Sequence, residues 1–181
     1  MDLDAFYVSA EMREDPKLLG LAVVVGADPE KGKGRGVVVA CSYEARKSGL
    51  RSGMPISQAY RLCPQAIYMR PDWALYERVS TEVMITLKGL ADKFEQASID
   101  EAFLDVSSRA SDEDSARSYA LRVKQAVKEL NRLTCSIGVG PNKSSAKIAS
   151  DRMKPDGLTV VPFKDVGGFL APLPVDRKSV V

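Results

Sequence analysis

The sequence predicts an α+β protein in which helices cover one face of a largely antiparallel sheet. Short apolar, β-branched segments of strand length recur along the chain, and some are joined by turns too short for a crossover helix. Two longer segments repeat apolar residues at helical spacing, on either side of the most acidic of these turns. Hairpins mixed with helices are typical of α+β folds.

The part of the chain before Asp72 is predicted to contain only short elements. Valine-rich runs around a charged, glycine-rich turn are typical of a hairpin. The expected elements are strands at 21–27 and 36–42, helices at 43–49 and 55–62, and a strand at 66–70. Asp2 to Tyr7 are also expected to form a short strand, on which Asp2 and Asp4 share one face because strand side chains alternate.

The part from Asp72 onward is predicted to contain two long helices with strands between them. The first helix is capped by Asp72, and its apolar positions are Leu75, Val79, Val83, Leu87 and Leu90. A hairpin of strands at 94–98 and 102–108 follows, joined by the turn Asp100–Glu101. The second long helix begins at Asp112 or Asp114. A strand at 134–140, a helix at 141–153 and a strand at 157–161 complete this lobe.

The composition of the 181 residues excludes several kinds of catalytic site. The chain contains no histidine, which rules out a Ser-His-Asp triad, a Cys-His dyad and a histidine-ligated zinc. A metal would be held by carboxylates and carbonyls, which favour hard ions such as magnesium. The three cysteines lack CxxC spacing, as expected of reduced thiols in a cytoplasmic protein. No apolar run approaches about 18 residues, so no membrane partner is expected.

Three acidic positions are candidates for chemistry. They are Asp2 with Asp4, the Asp100–Glu101 pair, and Asp105. Adjacent carboxylates in a turn repel each other unless a cation compensates them, and a metal ion could be that cation. The alternative is that these acids are ordinary solvated turn residues.

Two groups of cations are candidates for binding an anion such as phosphate. The first lies in one predicted helix and the turn after it: Lys143, Lys147, Arg152 and Lys154. The second gives a short helix both aromatic and cationic groups: Tyr43, Arg46, Lys47 and Arg51. Each group can equally be a solvated helix face. The net charge of +2 is too small to indicate nucleic-acid binding by itself.

Four segments of the chain carry a family resemblance. They are DLDAFYVSAE, ACSYEARKSGLRSGMP, ASIDEAFLD and GVGPNKSSAKIASDRMKPDGLTVV. Their order and spacing resemble those of the Y-family DNA polymerases, the lesion-bypass enzymes of the DNA polymerase IV type in bacteria and archaea. The resemblance extends from Asp2 to about Leu173.

The resemblance implies a ferredoxin-like palm, with a mixed, largely antiparallel sheet and packed helices, and a small α/β fingers subdomain. The palm would comprise residues 1–10 and 72–161, and the fingers 11–71. Residues 162–181 would begin a truncated thumb, and the little finger would be absent. Family members usually carry several apolar residues before the first aspartate. We therefore expect a shortened first strand, with the terminal ammonium beside a metal ligand.

The resemblance also implies a metal site. Asp2, Asp100 and Glu101 would be the catalytic acids. Together with the main-chain carbonyl of Leu3, they would hold two Mg²⁺ ions, for which Mn²⁺ can substitute. Two such cations activate the primer 3′-oxygen and stabilise the leaving pyrophosphate.

A nucleotide site is implied as well. Phe6 and Tyr7 would lie beneath the incoming sugar, with Tyr7 as the steric gate that excludes a ribose 2′-hydroxyl. Tyr43, Arg46 and Lys154 would contact the triphosphate. The remaining lysines of the first cationic group, Lys143 and Lys147, would touch DNA or only solvent.

The function implied by the resemblance is template-directed, low-fidelity DNA synthesis by a truncated catalytic core. Its partners would be primer-template DNA and dNTP, with a sliding clamp only in the full-length protein, and the chain would be a monomer. One alternative is a fragment that binds nucleotide and metal with little or no turnover. Another, by analogy of fold, is a palm-type nucleotidyl cyclase that needs no template. The Phe6–Tyr7 pair and the YEAR segment argue against the cyclase.

Overall fold

The computed structural model describes residues 1–174, which form two compact units. The large unit comprises Met1–Asp4 and the chain from Val79 onward, and the small unit comprises Ala5–Arg78. Of the predicted start of a thumb at 162–181, residues 175–181 lie outside the described part. No helix within residues 1–174 has the length and apolarity needed to cross a lipid bilayer.

The helices and strands largely coincide with the predicted segments. The helices of the described part are α1 (Phe6–Glu14), α2 (Tyr43–Lys47), α3 (Ile56–Leu62), α4 (Trp73–Lys88), α5 (Glu113–Asn131), α6 (Lys143–Ser150) and α7 (Val166–Leu170). The strands there are β1 (Asp2–Leu3), β2 (Val23–Gly26), β3 (Val38–Cys41), β4 (Ile67–Met69), β5 (Lys93–Gln96), β6 (Ala102–Asp105), β7 (Cys135–Val139) and β8 (Leu158–Val160). Neither α1 nor α7 is predicted from the sequence.

The small unit is built on a three-stranded sheet in the order β3-β2-β4. β2 pairs antiparallel with β3 and parallel with β4. The valines of β2 are fully buried, and α3 adds Ile56 and Ala59 to the same core. Ser42 follows β3 and connects α2 to β2, because its Oγ accepts from the backbone N–H groups of both Ala45 and Val23. This cap fixes the start of the helix that carries Tyr43.

In the large unit, β1 is an edge strand of the three-stranded sheet β1-β7-β8. It pairs antiparallel with β7, with Asp2 opposite Ser136 and Leu3 opposite Cys135. It also bridges to the β5–β6 hairpin through Asp2 and Glu101. β8 extends the sheet in parallel beyond β7, and β5 pairs antiparallel with β6. The mixed, largely antiparallel pairing confirms the predicted α+β class.

The helices α5 and α6 both pack against β7 of this sheet. α5 is capped by Asp112, one of the two predicted starts, whose carboxylate accepts from the backbone N–H of Ser115. α6 comes so close to β7 that a side chain at Gly138 would collide with the carbonyl oxygen of Ala146. This close approach brings the side chains of α6 towards β1.

The expected strand over Asp2–Tyr7 is wrong beyond Leu3. Ala5 has a left-handed conformation (φ 45°, ψ 47°), and α1 begins at the next residue, Phe6. A left-handed residue ends the alternation of a strand, so Phe6 and Tyr7 lie on a helix instead.

The large unit contains a groove of about 430 Å³. The groove is lined by residues 103–107 after the hairpin turn and by residues 137–143 from β7 to the start of α6. The Met1 ammonium lies at one end and donates to the carbonyl of Ala102 at 2.8 Å. Its burial lowers the pKa of this amine.

Candidate active site

Two of the three predicted catalytic acids are brought together by the pairing of β1 with the β5–β6 hairpin. Asp2 and Glu101 form an isolated antiparallel bridge. The neighbouring backbone N–H of Leu3 donates to the carbonyl of Asp100 at 3.0 Å. Asp2 is only 4% exposed, so its charge needs a partner within the fold.

Lys147 of α6 supplies that partner. Its Nζ donates to Oδ2 of Asp2 at 2.7 Å and to Oε1 of Glu101 at 2.6 Å. Lys154 donates to the other oxygen of Asp2, Oδ1, at 2.6 Å and also pairs with Asp151 at 2.9 Å. Both oxygens of Asp2 are therefore ion-paired. We call Asp2, Glu101, Lys147 and Lys154 the charge cluster.

The pKa values in the charge cluster follow from burial and these ion pairs. Burial opposes the ionisation of Asp2, but the contacts from Lys147 and Lys154 outweigh it and lower the pKa of the carboxyl. Burial raises the pKa of Glu101, aided by the Asp2 carboxylate and opposed by Lys147. The two carboxylates raise the pKa of Lys147 despite its burial. The Lys147 ammonium is thus the shared counter-ion of the two acids.

The third predicted acid, Asp100, has a different partner. Its Oδ1 accepts from the hydroxyl of Ser98 at 2.7 Å. Among the described residues, no group of three or more Cys, Asp and Glu side chains is arranged to hold a metal ion. The donor set of Asp2 and Glu101 nevertheless fits a hard cation, because carboxylates suit such ions and this pair already shares one cation, the Lys147 ammonium.

The turn that carries Lys154 is held by a buried aspartate. The two oxygens of Asp4 accept from the backbone N–H of Asp156 and from the hydroxyl of Ser136, each at 2.8 Å. Lys124 adds an ion pair to the Asp156 carboxylate at 2.6 Å. Asp4 therefore has different partners from Asp2 and positions the turn. The DLD pattern marks both acids but cannot separate these two roles.

Lys143 lies one helical turn before Lys147 and outside the charge cluster. It pairs with Glu95 of β5 and lies 5.6 Å from the centre of the Phe103 ring. More than half of each side chain in the Lys143–Glu95 pair is exposed. Two lysines of the same helix thus differ sharply in environment.

In the small unit, Phe6 and Tyr7 belong to an aromatic cluster with Trp73 and Tyr76. The Tyr7 ring lies 4.7 Å from that of Tyr76 and 5.7 Å from that of Trp73. Tyr76 is fully buried, and its hydroxyl donates to Oε1 of Glu11 at 2.7 Å. Burial and this carboxylate raise the pKa of Tyr76. The packing restricts the orientation of the Tyr7 ring.

The other predicted nucleotide contacts of the small unit, Tyr43 and Arg46, lie on α2. The Arg46 guanidinium lies 4.5 Å from the centre of the Tyr43 ring, and its Nε donates to the carbonyl of Cys41 at 3.3 Å. Arg46 is exposed, whereas Tyr43 is half-buried. The stacked pair thus presents an accessible cation suited to a phosphate.

Comparison with protein families gives one match that covers most of the chain. Residues 1–151 match the model of the impB/mucB/samB family. DNA polymerase IV 2 of Methanosarcina mazei is 54% identical over 177 residues, and DNA polymerase IV of Methanoculleus marisnigri is also 54% identical over 177 residues. These matches cover 98% of this chain, but only 48% and 49% of the two relatives.

Solved structures give a consistent comparison. An insertion ternary complex of Dbh DNA polymerase matches with a TM-score of 0.90 and 38% identity, over 97% of this chain and 52% of the other. DinB from Sulfolobus solfataricus matches with a TM-score of 0.88 and 37% identity, over 97% and 51%. The chain spans about half the length of the relatives it matches.

Proposed function

The chain belongs to the impB/mucB/samB family, and from that premise we propose that it is the catalytic core of a template-directed DNA polymerase of the low-fidelity, lesion-bypass type. The reaction would transfer a nucleotidyl group from dNTP to a primer 3′-hydroxyl. The observation that carries this proposal is the Asp2–Glu101 bridge, which joins two carboxylates from distant parts of the sequence around one cation. Residues 1–10 and 72–161 would serve as the palm and residues 11–71 as the fingers.

The acids would hold divalent metal in this reaction. Asp2 and Glu101, with Asp100 and the carbonyl of Leu3, would ligate two Mg²⁺ ions or Mn²⁺ in their place. These ions would supply charge stabilisation for the attacking and leaving oxygens. The protein residues would position the reacting groups and neutralise their charge, which is the main contribution of a protein to phosphoryl chemistry. The absence of histidine is therefore compatible with this activity.

The nucleotide would be held by residues from the remaining motifs. Tyr7, with Phe6 beside it, would exclude the ribose 2′-hydroxyl, and the aromatic neighbours of Tyr7 keep its ring oriented. Arg46 and Tyr43 would contact the triphosphate, as would Lys154. The partners would be primer-template DNA and dNTP, with a clamp only for the full-length protein. We expect a cytoplasmic monomer.

Primer extension by an aspartate variant tests this proposal. Asp100→Ala is compared with Asp105→Ala, because each aspartate accepts from a serine hydroxyl two residues away at 2.7 Å. At low salt with Mg²⁺, we expect extension by the unsubstituted chain and by Asp105→Ala, and a loss of at least 100-fold in Asp100→Ala, as for removal of a key electrostatic group. Equal extension by the two variants would contradict the assigned role of Asp100.

A second candidate function is a nucleotide- and metal-binding module with little turnover. It is favoured by the ion pairing of both Asp2 oxygens and by the separate partner of Asp100. Calorimetric binding of dNTP with Mg²⁺, combined with no extension by the unsubstituted chain, would support this module. That result would contradict the polymerase proposal for this chain.

A further inference from the structure

The structure points to a role for Lys147 that the four sequence motifs do not assign. We infer that Lys147 is an internal counter-cation that occupies the cation position between Asp2 and Glu101 and must leave before divalent metal binds there. The inference rests on the proposed function only in taking Asp2 and Glu101 as metal ligands. It makes Lys147 a positioning residue that sets the metal affinity of the nucleotide-free protein.

The contacts of Lys147 are those of a cation held in a two-carboxylate site. Its ammonium is within 2.7 Å of one oxygen from each acid, and its side chain is only 21% exposed. Such short, charge-assisted bonds in a largely buried place are much stronger than surface ion pairs. An ammonium and a divalent ion at the same carboxylate oxygens repel each other, so the two cannot share them.

Each carboxylate oxygen of Asp2 is bound by a lysine. Oδ2 is bound by Lys147 and Oδ1 by Lys154. A metal ion that ligates Asp2 must therefore replace an ammonium. Lys154 has a second carboxylate partner in Asp151, which it keeps if it leaves Asp2. Within residues 1–174, the ion pairs of Lys147 are with the two acids that the metal would take.

The fold keeps Lys147 in this position through its helix. α6 is capped by the side chain of Asn142, which accepts from the backbone N–H of Ser145 at 2.9 Å. The close approach of α6 to Gly138 fixes the helix against β7, next to β1. Only the flexible stem of the lysine has to move for the exchange. The acids are thus kept close together without metal, and the cation between them can be exchanged.

The consequence is an exchange of cations rather than simple filling of an empty site. Without Lys147, metal would bind to carboxylates that have one competitor fewer. The affinity for divalent ions should then rise, whereas the metal-free fold should become less stable because Asp2 and Glu101 would repel each other. Loss of a lysine that only supports the fold would leave the two acids less well positioned and lower the affinity for metal.

The matched variants Lys147→Met and Lys143→Met test the inference. Both remove one lysine charge from α6, but Lys143 pairs with the exposed Glu95. Mn²⁺ binding is measured by electron paramagnetic resonance of free Mn²⁺, with neither DNA nor nucleotide present. We expect about tenfold tighter binding for Lys147→Met, within the range of coupling between linked binding events, and no more than a twofold change for Lys143→Met. Thermal unfolding without metal should show a lower midpoint for Lys147→Met, which Mn²⁺ restores.

Unchanged or weaker Mn²⁺ binding by Lys147→Met would overturn the inference, and so would equal tightening in both variants. The outcome is independent of the primer-extension test. If the unsubstituted chain extends no primer while Lys147→Met binds Mn²⁺ more tightly, the proposed function fails and the cation exchange stands. The reverse pair of results would reject the exchange alone.

Discussion

The charge cluster of the large unit and the aromatic cluster of the small unit hold their predicted functional residues by different means. In the charge cluster, lysines of α6 and the turn after it neutralise acids from β1 and the hairpin. In the aromatic cluster, rings of α1 and α4 pack at 4.7–6.4 Å, with one buried hydroxyl–carboxylate bond. The first arrangement can exchange its cations, whereas the second can only fix orientation.

This difference suits the two proposed tasks. A metal site must release and accept charge, so ion pairs that a metal can replace are useful there. A steric gate must keep its shape, and close ring packing provides that because each ring is bounded by others. The following variants probe the difference, beginning with the largest expected effect.

Removal of Asp4 should cost the large unit the most stability. Asp4→Ala leaves the hydroxyl of Ser136 and the backbone N–H of Asp156 without their carboxylate in a buried place. We expect a loss of about 3 kcal/mol in the free energy of unfolding. The control is Asp151→Ala, whose exposed ion pair with Lys154 should contribute less than about 1 kcal/mol. Urea unfolding measures both, and similar costs would contradict the assigned role of Asp4.

Removal of the Tyr7 ring should change nucleotide selection rather than stability alone. Tyr7→Ala is expected to reduce the preference for dNTP over rNTP by about 10- to 200-fold, the range for one unfavourable steric contact. Single-nucleotide insertion with both substrates measures the ratio. Tyr60→Ala is a matched control, because Tyr60 also packs against a tyrosine ring in the small unit. An unchanged dNTP-to-rNTP ratio in Tyr7→Ala would show that Tyr7 is not the steric gate.

The buried hydroxyl–carboxylate bond should make a moderate contribution. Tyr76→Phe removes the donor to Glu11, and we expect a loss of about 1–2 kcal/mol in the free energy of unfolding. Tyr68→Phe removes a hydroxyl that donates to the neutral carbonyl of Cys63 at 3.1 Å, so the loss in the free energy of unfolding should be smaller. The reverse order in urea unfolding would show that the Glu11 bond adds little.

A small pH effect is expected from an aspartate that belongs to neither cluster. Hydrogen bonds from Ser108 and Arg109 lower the pKa of Asp92 from 3.8 to about 2. A carboxyl whose pKa is depressed on folding stabilises the protein above its unfolded pKa, and this contribution is lost as the pH falls towards the folded value. The urea midpoint of the unsubstituted chain should exceed that of Asp92→Asn at pH 5, and the difference should shrink below pH 4. A difference in urea midpoint that does not change with pH would contradict the lowered pKa of Asp92.

Much of the fold is predictable from local patterns. The apolar spacing of 75–90, the Asp72 and Asp112 caps and the valine-rich strands all correspond to observed elements. The start of α1 is missed because polar and apolar residues alternate in the DLDA segment as they do in a strand. No residue type there indicates the left-handed conformation of Ala5. The family is also predictable, and the match over residues 1–151 confirms the resemblance drawn from four segments.

The organisation of the charge cluster is harder to predict. Lys147 and Asp2 are 145 residues apart in the sequence, and their contact depends on the register of β1 with β7 and on the closeness of α6. Lys143 and Lys147 look equivalent as two lysines one turn apart. The sequence analysis assigns Lys147 a contact with DNA or only with solvent, and it gives no sign of the two acids that Lys147 binds in the described structure.

The central claim is that Glu101, held beside Asp2, belongs to a metal-dependent polymerase centre. The most direct test compares Glu101→Gln with Glu95→Gln, because each glutamate lies in the β5–β6 hairpin region and pairs with a lysine of α6. Primer extension is measured at low salt over a range of Mg²⁺ concentrations. We predict that Glu101→Gln reduces the extension rate at least 100-fold at saturating Mg²⁺, while Glu95→Gln stays within twofold of the unsubstituted chain. Equal rates in the two variants would contradict the claim.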